Sequence, residues 1–389
     1  MADYSEIKVL GIIAGAGEFP RLVAEGARHA GIRVVCGGMR GAVNVKEMRS
    51  LCDAFRNFRV GSLEAPRKFF EEQGVTHVML TGQIKPACIY TMWPDATARR
   101  YLATLDRRNA HTIFGAVCEF IESTGMRVLP STTFLEQCLP AEGHLAGPEL
   151  SPEQLEDARH GLGLAREIAR LDIGQSIVVQ GRKVVCVEAF KGTNECIKSG
   201  GGRPEPVTLC KVTKPGHDMR FDVPCIGPTT IKHCHRCHVS TLVFEAERTI
   251  IFQRAKVEEM CREYGISLYS MVAPVPPVEG PEPGHPEDDA AHAVEMALEL
   301  ERLGIGHCAA VCDGVVIAVD DADGPLKCIR RAGEYMSRLR WIRLFKFLCS
   351  LLPGRKREPV APMVLRSTPG HPLTEAELRA ARKAGMQAE

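Results

Sequence analysis

Glu188-Ala-Phe-Lys-Gly-Thr-Asn-Glu-Cys-Ile197 follows an apolar, β-like run at 176–187. Lys214-Pro-Gly-His-Asp-Met-Arg-Phe-Asp-Val-Pro-Cys-Ile-Gly-Pro-Thr-Thr230 follows a second such run at 207–212. Each stretch leaves a strand and turns through Gly or Pro into helix-like sequence. A strand, a turn needing special backbone and then a helix is the repeating unit of α/β proteins. Such proteins place ligand chemistry at the carboxyl ends of the strands. The second stretch gathers Lys214, Asp218, Arg220 and Asp222 within nine residues, cations for a phosphate and carboxylates for a metal.

Working outward toward the N-terminus, an apolar strand at 8–14 ends in Gly15-Ala-Gly17-Glu-Phe-Pro20. A helix at 21–30 and a strand at 31–36 follow. This β–turn–α–β unit suits backbone amides placed against an anion. Pro20 stands where a dinucleotide fingerprint has its third glycine, and no acidic residue closes the second strand, which disfavours NAD. A strand at 75–81 leads into the turn Thr81-Gly82-Gln-Ile-Lys85-Pro86. Helices are expected at 99–108 and 112–123, and a short strand at 126–129. Residues 1–130 therefore read as an open, mainly parallel, Rossmann-like α/β domain.

Residues 131–152 read as a Pro- and Gly-rich linker, 153–273 as a second α/β domain and 274–286 as a Pro-rich linker. The second domain opens with a helix whose Ser151-Pro-Glu-Gln154 carries an N-terminal signature. It continues with a helix at 229–237, strands at 241–244 and 249–251, a helix at 256–264 and a strand at 265–271. His233-Cys-His-Arg-Cys-His238 has Cys-x2-Cys spacing, but on a helix only two of its ligands share a face, so zinc is disfavoured.

The composition limits the function classes. The chain has 389 residues, net charge +1, 25% charged and 45% apolar residues. That is ordinary for a soluble globular protein and gives no electrostatic case for nucleic acid. Sixteen scattered cysteines, many inside apolar runs, and no signal-peptide pattern point to reduced thiols in a cytosol. No run reaches the ~18 apolar residues of a spanning helix.

Several motifs occur together and in order over residues 6–271. They are Gly11-Ile-Ile-Ala-Gly-Ala-Gly-Glu-Phe-Pro20, Gly82-Gln-Ile-Lys-Pro86, Gly174-Gln-Ser176, Glu188-Ala-x-x-Gly-Thr193 and Lys214-Pro-x-x-Asp-x-Arg-x-Asp-x-Pro-x-Ile-Gly-Pro228. In this the chain resembles the LpxI-type UDP-2,3-diacylglucosamine pyrophosphatases of lipid A biosynthesis. The resemblance implies a cytoplasmic, dimeric, two-domain α/β enzyme that holds its lipid nucleotide between the domains. It implies Mg²⁺-dependent hydrolysis to 2,3-diacylglucosamine 1-phosphate and UMP. The chain departs from the family pattern at Asn194, where an Asp is usual, and at His217, where Gln is usual. Those departures motivate an alternative, a nucleotide-sugar or lipid binding protein without catalysis. A dinucleotide-dependent oxidoreductase rests only on Gly15-x-Gly17.

Pyrophosphate hydrolysis needs a metal or cation on developing charge and a carboxylate to hold the metal or orient water. Asp222 and then Asp218 are the metal or water-orienting candidates. Lys214 and Arg220 are phosphate candidates, Thr193 and the Gly192 backbone are donors, and Glu188 is a supporting carboxylate. Gly15, Gly17, Thr81, Gly82, Lys85 and Asn194 complete the expected substrate-binding set.

The last third carries its own signal. Residues 157–201 align without gaps on 289–333, with 16 of 45 positions identical. Asp157-Ala-x-His160 matches Asp289-Ala-x-His292, and Gly192-x-x-x-Cys-Ile197 matches Gly324-x-x-x-Cys-Ile329. Residues 363–371 echo 209–217. Residues 287–389 thus read as a partial, degenerate repeat of the catalytic domain, in which Pro325 stands for Thr193 and Pro372 for Asp218. The expectation is that 281–389 can be removed to leave a folded catalytic unit. Inside the repeat, residues 337–357 mix Trp341, Leu344, Phe345 and Leu348 with Arg and Lys, and residues 337–352 have no acid. That composition suits a helix lying in a membrane interface, and with the diacylated substrate that the resemblance implies the enzyme is expected to be peripheral to the inner membrane.

Overall fold

The computed structural model describes residues 4–84, 94–105, 110–214, 218–221, 223–274, 288–312, 314–335 and 363–388. The chain forms two compact units, residues 1–138 with 218–223, and residues 139–217 with 224–389.

The first unit is built from β1 (Val9–Ala14), α1 (Phe19–His29), β2 (Arg33–Met39), α2 (Val45–Leu51), β3 (Ala54–Phe58) and α3 (Glu64–Glu72). It continues with β4 (His77–Thr81), α4 (Ala96–Ala103), α5 (Ala110–Ser123) and β5 (Arg127–Val128). The sheet runs β3-β2-β1-β4-β5 with every pair parallel. Leu10, Ile12, Val34, Val35, Val78 and Met79 are buried, as expected of strands covered on both faces. The chain direction across the sheet switches between β1 and β4, so their carboxyl ends form the crevice where such sheets take ligands. The expected open parallel α/β domain is present. The α2–β3–α3 stretch is an addition to the sequence-based account.

The second unit holds β6 (Gly143–Ala146), α6 (Pro152–Arg170), β7 (Ser176–Gln180), β8 (Lys183–Val187), α7 (Thr193–Gly200) and β9 (Thr208–Lys211). Then come β10 (Cys225–Ile226), α8 (Pro228–Arg236), β11 (Thr241–Glu245), β12 (Ile250–Ile251), α9 (Arg254–Tyr264) and β13 (Ser267–Met271). The main sheet runs β6-β13-β11-β9-β7-β8, parallel through β13, β11 and β9 and antiparallel at both ends. Two expectations change here. The run 176–187 is a hairpin, because Gly181 and Arg182 both take positive φ, 52° and 62°, as a two-residue hairpin turn requires. The stretch 131–152 is more than a linker, since β6 pairs antiparallel with β13 at the sheet edge.

α6 is stopped at its start by a capping box between Ser151 and Gln154, with Pro152 in its first turn. Its buried positions Ala158, Gly161, Leu162, Ala165, Ile168 and Ala169 recur at helical spacing. Gly161 is needed there, since a Cβ would meet Cys210 Sγ at 2.5 Å.

The rest of the unit is α10 (Asp289–Arg302), β14 (Cys308–Cys312), β15 (Val315–Val319), the helix α11 over residues 325–335, β16 (Val364–Ser367), α12 (Glu375–Ala384) and β17 (Gln387–Ala388). They make a second sheet, β15-β14-β16-β17. Leu162, Ala165 and Ile168 of α6 share one buried core with Ala293, Met296 and Leu300 of α10 and with Val311 and Val319. Residues of α10, β14 and β15 are therefore joined to the α/β domain that contains α6 by core packing rather than appended to it. A free-standing unit ending near residue 273 would lose the cover of α6. The basic segment 337–357 lies outside the described residues.

Candidate functional site

In the first unit the predicted turns meet at the crevice between β1 and β4. The Gly15 amide donates to the Thr81 carbonyl at 2.7 Å, and Ala16 and Gln83 exchange backbone hydrogen bonds of 2.9 Å. This contact explains two glycines. A Cβ on Gly15 would sit 2.7 Å from the Gln83 carbonyl oxygen, and one on Gly82, at φ +76°, 2.6 Å from the Ala16 carbonyl oxygen. Gly17 has φ +94° and open space where a Cβ would be. Thr81 is buried, with its hydroxyl 3.4 Å from the Ile13 carbonyl. Lys85 lies outside the described residues.

Asp218 and Arg220 belong to this unit. The Ser131 amide donates to the Met219 carbonyl at 2.6 Å, and the Ser131 hydroxyl donates to the carbonyls of Arg220 and Leu80. Phe221 is buried against Phe114, ring centroids 5.9 Å apart. Arg220 donates to both oxygens of Asp218 at 2.6–3.0 Å and to Glu122 at 2.7 Å. The Asp218 hydrogen bond, then that of Glu122, raises the Arg220 pKa above its ordinary value. In this structure Asp218 is thus spent on Arg220, and the guanidinium is matched by two carboxylates. Asp222 lies outside the described residues.

Beneath the same strand ends is an apolar cavity of about 110 Å³. Ile13, Leu80, Phe70, Tyr101, Phe114 and Phe120 are among its walls.

The second unit assembles a cluster that sequence reading only half found. β7 and β9 pair with Ser176 opposite Lys211. Lys211, 6% exposed, donates to the Thr193 hydroxyl at 2.9 Å and to the Ser176 hydroxyl at 3.3 Å. Thr193 in turn donates to Glu188 Oε1 at 3.0 Å. Glu188 Oε2 is buried and has no hydrogen-bond partner. Gly192, at φ 81°, caps α7 and turns the chain so that Thr193 is its first residue. An ammonium, an oriented hydroxyl and a carboxylate oxygen left open therefore stand at a helix N-terminus, which favours negative charge. Asn194 is exposed on the first turn of α7. Lys214 pairs with Asp172 at 2.9 Å and is not part of this cluster.

Lys211 and Ser176 were not among the expected site residues. The signal was available, since a lone Lys inside the apolar run Val207-Thr-Leu-Cys-Lys-Val212 is a buried cation that must have partners. Among the described residues, no group of three or more His, Cys, Asp or Glu is placed to hold a metal, the 233–238 cluster included. The cysteines described are free thiols.

The model of the LpxI N-terminal domain matches residues 9–138, and that of the LpxI C-terminal domain matches residues 141–269 and 280–348. The chain belongs to the LpxI family. It is 27% identical over 278 residues to the UDP-2,3-diacylglucosamine pyrophosphatase LpxI of Caulobacter vibrioides (strain ATCC 19089 / CIP 103742 / CB 15). That match covers 67% of this chain and 96% of the relative. Among solved structures, the biotin carboxylase subunit of pyruvate carboxylase aligns at 12% identity and a TM-score of 0.19. It covers 53% of this chain and 38% of that one, a likeness too slight to bear on the fold.

Proposed function

We propose that this LpxI-family chain hydrolyses the phosphoanhydride of UDP-2,3-diacylglucosamine, giving 2,3-diacylglucosamine 1-phosphate and UMP. The observation that carries the reading is the part-buried Lys211–Thr193–Glu188 chain at the N-terminus of α7. Lys211 and the amides opening α7 stabilise negative charge on a phosphate oxygen, the feature this reaction demands most. Lys211 also fixes the Thr193 hydroxyl, whose proton points to Glu188 and whose oxygen faces the ammonium.

Mg²⁺ is part of the proposal, and the donors fit it. A hard cation prefers a few carboxylate oxygens and keeps several waters. Glu188 Oε2 is a buried carboxylate oxygen lacking a donor and would hold the ion; Asp222, outside the described residues, is a metal candidate by its motif. Bound Mg²⁺ supplies charge neutralisation on the pyrophosphate. Asp218 acts by holding Arg220 in place.

A diacylated substrate implies work at the cytoplasmic face of the inner membrane. Residues 337–357, outside the described residues, have a composition suited to that contact. Among the described residues, no helix is long and apolar enough to cross a membrane. A homodimer, expected from the resemblance, is part of the proposal. Release of UMP from UDP-2,3-diacylglucosamine by the purified chain tests the reading. Release of UDP, or of no nucleotide, would overturn it.

A further inference from the structure

The turn between β8 and α7 carries Glu188, Gly192 and Thr193. Its middle residues are held by the C-terminal part of the chain. The Phe190 ring packs edge-on against Tyr335, centroids 4.6 Å apart, and Lys191 pairs with Glu334. Tyr335 is nearly buried. At the far end of α7, Arg203 pairs with Asp323 at 3.6 Å.

These contacts are reciprocal. Strands β14 and β15 repeat β7 and β8 at the spacing found in the sequence, Ser176 to Cys308 and Lys183 to Val315. The register shift falls at matching places, Val178/Val179 and Ala310/Val311. Gly192 and Gly324 take matching φ of 81° and 77°. At that spacing Lys191 corresponds to Asp323, and Arg203 to Tyr335. Positions 190 and 191 of one copy therefore touch positions 335 and 334 of the other, while position 323 touches position 203. A second set repeats the pattern on α6 and α10, where Arg170 bonds Glu299 at 3.0 Å and Arg302 bonds Glu167 at 3.0 Å. Arg170 corresponds to Arg302 and Glu167 to Glu299. Residue i touching j while j touches i is the mark of a two-fold, isologous interface, here closed within one chain.

The second copy brings no chemistry of its own. Asp320, at the place of Glu188, is fully buried and accepts from the His307 and Cys308 amides. Cys308 replaces Ser176, Pro325 replaces Thr193, and Ser367 pairs with Cys308 where Lys211 pairs with Ser176. What it supplies is support for the turn.

We propose that the C-terminal repeat is a built-in second subunit that holds the Glu188–Thr193 turn, with Tyr335 and Glu334 as positioning residues. The inference rests on the reading of that turn as part of the hydrolytic site. Displacing a positioned group by about 1 Å can cost on the order of 10²-fold in rate, and a loosened turn should cost about tenfold. In the full chain, Tyr335→Ala should lower kcat for UMP release by about tenfold and leave KM within about twofold. Tyr335→Phe keeps the ring and should restore kcat, and Glu334→Gln should lower it by about threefold. Hydrogen exchange of amides 189–193, read by mass spectrometry, should speed up in Tyr335→Ala and return to normal in Tyr335→Phe. That readout stands apart from turnover. Wild-type chain without UMP release would refute the hydrolase, not the support of the turn. Unchanged exchange and unchanged kcat in Tyr335→Ala, a loss confined to KM, or failure of Tyr335→Phe to restore either readout would overturn the proposal. If Tyr335→Ala does not fold, Glu334→Gln decides, and wild-type kcat and exchange in it would overturn the proposal.

Discussion

Replacing Lys211 by Met separates catalysis from stability. Methionine keeps the length of the stem and removes the ammonium. Lys211 is 6% exposed, so its stem is packed and the substitution leaves little void. Lys211 donates to two hydroxyls and forms no ion pair among the described residues, so its removal breaks no salt bridge and relieves the cost of burying a charge. The loss to set against that is small. Thr193 still donates to Glu188 Oε1, and the Ser176 and Thr193 hydroxyls, 3.3 Å apart, can bond each other. The melting temperature should therefore move by no more than about 5 °C. Turnover should respond differently. Removing one preorganised donor from developing oxyanion charge costs about 10²–10³ in kcat, or roughly 3–4 kcal/mol. Lys211 also orients Thr193 at 2.9 Å, so the upper half of that range is expected. The assay is UMP release under saturating substrate, with thermal unfolding of the same preparation. If Lys211→Met keeps activity within about fivefold of wild type, the lysine is a structural cation and the site reasoning fails. If activity falls only in step with the folded fraction, the reasoning fails as well.

Two further predictions concern the carboxylate motif and the core. Asp222→Ala should lower turnover by on the order of 10³ while substrate still binds, measured by equilibrium binding to detergent-solubilised substrate; turnover within about tenfold of wild type would make Asp222 structural. Deleting 281–389 should yield insoluble or molten protein by near-UV circular dichroism. It uncovers Leu162, Ala165 and Ile168 and removes Met296, Leu300 and Val311 from their shared core. At about 1.5–3 kcal/mol per large buried side chain, the loss is comparable with a total stability of about 5–15 kcal/mol. A soluble, cooperatively folding fragment would contradict that.

The α/β character and the Gly-rich turns were legible because strand runs and glycines report local backbone needs. β3 was not, since Ala54-Phe-Arg-Asn-Phe58 is an edge strand carrying polar residues and reads as loop. The 176–187 hairpin was hidden because Gly181-Arg182 is a weak turn signal inside an apolar run. At the site, Glu188, Gly192 and Thr193 stood out as one motif and come together. Lys211 was passed over because its role depends on the β7–β9 register, which sets it opposite Ser176. Register of that kind is set by tertiary packing and cannot be read from one strand. The ungapped match between residues 157–201 and 289–333 is a reading of the sequence, on which the proposed support of the turn rests. Ion pairs such as Arg170–Glu299 and Arg302–Glu167 were not legible, because they exist only once the two helices meet.

The most direct test is to mix the purified full chain with UDP-2,3-diacylglucosamine in detergent micelles, with Mg²⁺ or with a chelator, and to separate the nucleotide and lipid products. The account predicts UMP and 2,3-diacylglucosamine 1-phosphate in equal amounts, formation that stops with the chelator, and recovery when Mg²⁺ is restored. Intact substrate under all conditions, or UDP as the nucleotide product, would contradict it.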